Sequence, residues 1–223
     1  AYFLTYSFSE DETKLLLATD LEQIYRRSSL GTYYVYDINN KEVTPVSEHK
    51  IQEPILNAAG TKVAYGYNNN IFIKDLASGS TTQITNDGLK NSIINGITDW
   101  VYEEEFAFVR AFDWNTDGTK IGYIKFDETE VPRFSMDVYG TDLYPTQHVF
   151  KYPKAGDPNA KVSLHVYDIE AQKTSNVDLS PYNNYYMPRI KWTMDANVLS
   201  VQTTNRKQNI VDLIFVDTHK NEI

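Results

Sequence analysis

Three carboxylates stand side by side at Glu103, Glu104 and Glu105, closing the segment Asn95-Gly96-Ile97-Thr98-Asp99-Trp100-Val101-Tyr102. Like charges at that spacing repel, so they destabilise an empty site and favour a cation held among them. Thr98 or Asp99 is placed to cap a short helix near 96–106, and acidic residues in its first turns suit the helix dipole. Neighbouring helical side chains diverge by about 100°, so the three acids cannot all face one point. Two can converge on one ammonium group while the third faces solvent. Trp100 and Tyr102 would anchor the segment by packing. A solvated acidic face with no ligand fits the same three residues. Position bears on the choice: the segment interrupts a repeat, and loops carried on a rigid scaffold are the usual place for binding groups.

Other chemistries find few residues to use. The 223-residue chain has no cysteine, which removes a disulfide scaffold, a thiolate zinc site and a cysteine nucleophile. The four histidines, His49, His148, His165 and His219, fall in strand or turn positions. No pair has metal-ligand spacing, and no Gly-X-Ser-X-Gly elbow is present for them to serve. They are expected as surface or satisfied structural residues. No Gly-rich run joins a strand to a helix, as a phosphate loop requires. Neither a metal nor a cofactor is expected. The formal charge of −9, from 21 Lys and Arg against 30 Asp and Glu, argues against nucleic acid, whose phosphates need clustered cations. It fits a solvated surface or one that attracts a cationic group. No apolar run approaches the roughly 20 residues that span a bilayer, so no membrane span is expected in this segment. The lack of cysteine and of any Asn-X-Ser/Thr sequon fits a bacterial protein.

The elements that must carry the acids read as strands. Tyr contributes 17 residues and Phe 10, and aromatic and β-branched residues dominate short apolar runs such as Tyr33–Tyr36, Ile71–Ile73, Val162–Tyr167 and Leu213–Val216. Turn formers bound each run. A two-part repeat recurs. Its first half is a turn before a strand: Ser9-Glu10-Asp11-Glu12-Thr13-Lys14, Ala58-Ala59-Gly60-Thr61-Lys62, Trp114-Asn115-Thr116-Asp117-Gly118-Thr119-Lys120 and a degraded Trp192-Thr193-Met194-Asp195-Ala196-Asn197. Its second half is a strand, an Asp and a turn, at Asp37, Asp75, Asp168 and Asp217. The unit of about 40–50 residues is the size of a four-stranded propeller blade. The expectation is an all-β chain, a partial β-propeller with blade-like units roughly at 1–48, 49–100, 107–180 and 181–223. A β-sandwich of similar hairpins is the alternative. Inserts are expected at Asn91 to Phe112, between the second and third units, and at Asp127 to Lys161, inside the third.

Asp99-Trp100-Val101-Tyr102-Glu103-Glu104-Glu105, preceded by Asn95-Gly96-Ile97-Thr98, resembles the signature of the dipeptidyl peptidase IV family of serine exopeptidases. Phe126-Asp127-Glu128-Thr129-Glu130-Val131-Pro132, Tyr152-Pro153-Lys154-Ala155-Gly156 and Asn159 follow in the family's order. Tyr25-Arg26-Arg27-Ser28, followed by Tyr36-Asp37, resembles the segment with the family's substrate-binding arginine, with Tyr25 where relatives often have Trp. Thr204-Asn205-Arg206-Lys207-Gln208-Asn209 also fits. Phe106-Ala107-Phe108-Val109-Arg110 departs from mammalian relatives, being less polar and one residue shorter.

The resemblance implies about four blades of an eight-bladed ring, followed in the same polypeptide by an α/β-hydrolase domain that this segment lacks. It also implies that Glu104 and Glu105 hold the free α-ammonium of a peptide substrate, that Arg26 orients the acids and helps place the substrate carbonyl, and that Glu103 is the lesser partner. No catalytic residue is expected in this chain. The implied activity is removal of N-terminal X-Pro or X-Ala dipeptides, by a periplasmic or secreted bacterial enzyme. The 127–161 insert, with Tyr139, Leu143, Tyr144 and Phe150, is expected as an arm contributing to a homodimer, against the plainer reading of a solvated loop. A non-enzymatic propeller that binds protein or glycan, and a relative that has lost its triad, are the competing functions.

Overall fold

The structure, a computed structural model, describes residues 2–220 and Ile223. The repeat halves seen in the sequence are cross-strand neighbours. The first sheet is a meander of β1 (Thr5–Phe8), β2 (Lys14–Gln23), β3 (Ser29–Asp37) and β4 (Glu42–Pro45). The second repeats it with β5 (Gln52–Leu56), β6 (Lys62–Tyr67), β7 (Asn70–Asp75) and β8 (Thr81–Gln83). Lys14 lies opposite Asp37 and Lys62 opposite Asp75, and each couple is an ion pair, at 3.2 and 2.6 Å. In the second and third units the turn before the strand is tied by an asparagine. Asn57 Oδ1 accepts from the Thr61 and Lys62 amides, and Asn115 Oδ1 from those of Thr119 and Lys120. The Asp of the second half folds its own turn: Asp37 accepts from Asn39 and Asn40, and Asp217 from His219 and Lys220. These are Asx-type turns, in which a short side chain replaces a backbone acceptor.

The third sheet is built differently at its first strand. β9 (Ile93–Asn95) and β10 (Phe112–Trp114) lie along the same edge of β11 (Lys120–Asp127), separated by an excursion that carries α1 (Trp100–Phe106). β12 (Arg133–Val138) and β13 (Thr146–Lys151) form a separate two-stranded ribbon. The chain then returns to the sheet with β14 (Lys161–Asp168) and β15 (Lys173–Asn176). The fourth sheet has β16 (Tyr186–Trp192), β17 (Val198–Thr204) and β18 (Val211–Asp217). The third sheet therefore begins at Ile93, inside the span 49–100 expected for the second unit. The excursion divides one strand of the third sheet rather than joining two units.

The core lies between consecutive sheets. One cluster joins Leu16 and Val35 to Val63 and Tyr65, the next joins Ile71 and Ile73 to Phe112 and Ile121, and the largest joins Ile124 and Leu164 to Leu199 and Val201. Trp114 Nε1 donates to the Ile55 carbonyl at 3.2 Å, and Trp192 Nε1 to the Asp113 carbonyl at 3.0 Å, sealing two of these seams. A sandwich would bury one core between two facing sheets. A separate core at every seam, each sheet a meander, is the packing of a β-propeller, here a partial one.

Candidate functional site

The excursion from the third sheet has a stem and a tip. At its base Gly96 donates to Ile124 O, and Ala111 donates back to Gly96 O. Gly96 has φ +72, and a Cβ there would meet the Ile71 side chain at 2.6 Å. Left-handed backbone and close packing together require glycine. Thr98 N donates to Val109 O, and Thr98 Oγ1 to Phe108 O. At the tip Asp99 caps α1, its Oδ1 accepting from the Tyr102 amide at 2.9 Å. Tyr102 is buried among Phe106, Phe108, Phe126 and Tyr186. Its hydroxyl accepts from the Met187 amide at 3.1 Å. Arg189 stacks over Phe108 and donates to the Phe106 carbonyl, closing the other end of α1. Trp100 packs on Tyr152, ring centroids 4.4 Å apart. A helix of seven residues, too short to persist alone, is thus fixed by tertiary contacts at every turn.

The β2–β3 hairpin brings its tip, Ile24 to Ser28, to this helix. Ile24 N donates to Ser28 O, and Tyr25 N to Ser28 Oγ. Glu103 receives the tip: one carboxylate oxygen accepts from the Arg27 amide at 2.6 Å and the Ser28 amide at 2.9 Å. Its other oxygen is buried and has no partner among the described residues. Arg26 then meets Glu104 in a two-point fork, Nε to Oε2 at 3.0 Å and Nη2 to Oε1 at 2.9 Å. Glu105 is exposed and makes no hydrogen bond or ion pair among the described residues. The ribbon braces the same place, with Tyr25 against Phe150 at 5.8 Å.

The field here is negative. Burial, with the charges of Glu128, Glu103 and Asp99, pushes the Tyr25 hydroxyl up to about 12. Burial raises Glu53 above the usual carboxylate range, Arg110 at 3.8 Å partly offsets this, and Glu103 adds to it. Burial also pushes Asp99 up to about 6 and Glu128 up to about 7. Chemically the arrangement offers one carboxylate oriented by a guanidinium, one free carboxylate beside it, and a surrounding potential that favours a cation. Among the described residues no group of three His, Asp or Glu is placed to hold a metal.

The profile described as the dipeptidyl peptidase IV N-terminal region matches residues 9–223. The chain belongs to the dipeptidyl peptidase IV family. It is 33% identical over 221 residues to human prolyl endopeptidase FAP, covering 95% of this chain and 29% of that protein. It is 32% identical over 228 residues to a probable dipeptidyl-aminopeptidase B of Verticillium alfalfae, covering 94% and 26%. The crystal structure of Porphyromonas gingivalis dipeptidyl peptidase 4 superposes with a TM-score of 0.94 at 39% identity, over 98% of this chain and 31% of that one. The chain thus spans between a quarter and a third of these relatives.

Seen as a dipeptidyl peptidase IV N-terminal region, the chain brings three of its signature segments together. The hairpin with Arg26, the helix with the acids and the stretch around Tyr152 share one contact region. The Thr204–Asn209 stretch does not join them. Asn205 folds its own turn, and Arg206 donates to Asp157 O. Asn159 donates to the Tyr186 hydroxyl at 2.5 Å. Glu103, the acid expected to face solvent, is instead buried, because two backbone amides of the arginine hairpin need an acceptor. The four histidines are structural or superficial. His165, for example, stacks on Tyr123 and is pushed down to about 4 by burial and then by Lys125.

Proposed function

We propose that this chain is the amine-recognising part of the propeller of a serine-type dipeptidyl peptidase that removes X-Pro or X-Ala dipeptides from free N-termini. One observation carries the reading: Glu105 is a free, exposed carboxylate next to Glu104, which Arg26 grips at two points. In this reading the substrate ammonium binds between Glu104 and Glu105, each charge-assisted bond contributing about 1.5–3 kcal/mol. Arg26 keeps Glu104 from turning away and presents a donor to the substrate carbonyl.

An extended peptide advances about 3.3–3.6 Å per residue. Fixing the amine here and the nucleophile on a hydrolase domain of the same polypeptide makes their separation the ruler that selects the second peptide bond. A blocked N-terminus would leave two carboxylates facing an amide with no charge to offer, and such a substrate is rejected. Preference at the second residue belongs to the hydrolase domain. The exposed tip of the β12–β13 ribbon, with Tyr139, Leu143 and Tyr144, supports a dimer arm, and family analogy with the acidic surface supports a periplasmic or secreted enzyme.

The test uses the full-length protein and an unblocked X-Pro chromogenic substrate. Glu104→Ala and Glu105→Ala should each lower kcat/KM by roughly a hundredfold, as expected for losing a charge-assisted contact to a desolvated group. The N-acetylated substrate should not be cleaved. Unchanged turnover in both variants, or equal cleavage of the acetylated substrate, would remove the acids from recognition.

A further inference from the structure

A cavity of about 490 Å3 lies behind the clamp, where the Tyr25 loop, the start of α1, the β8–β9 connection and the foot of the ribbon meet. None of Arg26, Glu104 and Glu105 lines it. Two carboxyls do, Asp99 and Glu128, only 5% and 6% exposed. Asp99 has a task as the helix cap. Glu128 has none: its amide donates to Ser92 O, but its carboxyl makes no hydrogen bond among the described residues. Lys151, the buried cation beside it, spends its ammonium on the carbonyls of Thr129 and Val131, at 3.1 and 2.6 Å. Burial raises both acids; the Asp99 charge raises Glu128 further while Lys151 lowers it, and the cap hydrogen bonds lower Asp99.

A carboxyl buried without a donor is a cost that a suitable ligand removes. The other walls indicate which ligand. Tyr25, Trp100 and Phe150 line the same space, together with Lys90 and Lys151, the latter's ammonium already held by backbone carbonyls, and ring faces attract ammonium groups. Two carboxyls are too few for a hard metal ion, which takes about six or more oxygens. We propose that this cavity is a second cation site, taking a small free primary amine as its ammonium, with the charge on Glu128 and Asp99 and the carbon skeleton against Tyr25, Trp100 and Phe150. The site is independent of the peptidase reading, since it uses neither acid of the clamp.

The experiment takes the full-length protein with Glu104→Ala and Glu105→Ala in place, so that the clamp cannot bind the probe. Benzylamine is titrated by calorimetry at about pH 8, where raised carboxyl groups are ionised. Saturable binding is expected, and adding Glu128→Gln should weaken it by roughly tenfold or more. Benzyl alcohol, matched in shape but uncharged, should bind at least roughly tenfold more weakly than benzylamine. This second comparison needs no change in the cavity, and so stands even if the Gln variant fails to fold. Equal binding of alcohol and amine, benzylamine binding unmoved by Glu128→Gln, or no saturable binding of benzylamine overturns the proposal.

Discussion

Three identical side chains in a row end in three environments because a helix turns each about 100° from the last. Glu103 points into the protein and holds the Arg27 and Ser28 amides, Glu104 meets the Arg26 fork, and Glu105 stays free. The Arg26–Glu104 pair is largely solvent-exposed on the arginine side, 69% against 27%, so it adds at most about 1 kcal/mol of stability. Its value is geometric. Arg26→Lys keeps the charge but loses the fork. It should lower kcat/KM for free-amine substrates by roughly tenfold while leaving the denaturation midpoint where it was, and a shifted midpoint with normal kinetics would reverse that assignment. Glu103 is the opposite case. Replacing it with Ala leaves two amides without their acceptor and should cost on the order of 2 kcal/mol. The loosened hairpin would also raise KM by moving Arg26. Glu103→Gln, whose amide oxygen can still accept from both, should lose less than half as much in urea unfolding. An Ala variant as stable as the parent would show that the hairpin is held elsewhere. The acids were legible in the sequence as a charged run on a short helix. The inward turn of Glu103 was not, because its partners lie 75 and 76 residues away in another sheet and no local spacing encodes them.

Helix α1 depends on its cap and on where its excursion starts. Asp99 is buried, and its carboxyl is pushed up from the ordinary value of 3.8 to about 6. A raised acid holds its proton longer in the folded state than in the unfolded one. The folded state is therefore favoured below about pH 4 and loses that advantage as pH rises to about 6, the charged form costing on the order of 1–3 kcal/mol at neutral pH. Asp99→Asn keeps a capping oxygen without the charge. Its melting temperature at pH 8 should equal or exceed the parent's, and the parent's loss of stability between pH 4 and 6 should shrink in the variant. A variant that melts lower at pH 8 would mean the helix needs the ionised carboxylate. At this scale the sequence was informative where structure is local. The Asn57 and Asn115 turns and the Asp37 and Asp75 turns close within a few residues, so their chemistry repeats visibly. The division of one strand into Ile93–Asn95 and Phe112–Trp114 was hidden, because each piece is three residues long and only pairing with β11 joins them.

The arc as a whole buries each sheet against the next, and its two ends show what a seam looks like when open. Trp114 and Trp192 each end the strand that leads into the turn of their unit, and each donates to the sheet before it. Phe8 occupies the same place in the first unit, since Ser9 N donates to Lys14 O as Asn115 N does to Lys120 O. Yet Phe8 is 53% exposed, and Tyr6 beside it 60%. At the far end Leu213 and Phe215 of β18 are 58% and 52% exposed. Burying an aromatic side chain contributes roughly 2–3 kcal/mol, so these faces are strong adhesive surfaces in the isolated arc and core in any longer chain that supplies further sheets. Opposite responses to one substitution follow. In a protein limited to residues 1–223, Phe8→Ser together with Phe215→Ser should reduce self-association, read as a fall in sedimentation coefficient and in binding of an apolar dye. In the full-length protein the same pair should instead lower the melting temperature, because each serine would sit in a packed seam and leave a cavity. Reduced association in the short form with no loss of stability in the long one would mean that neighbouring sheets do not cover these faces.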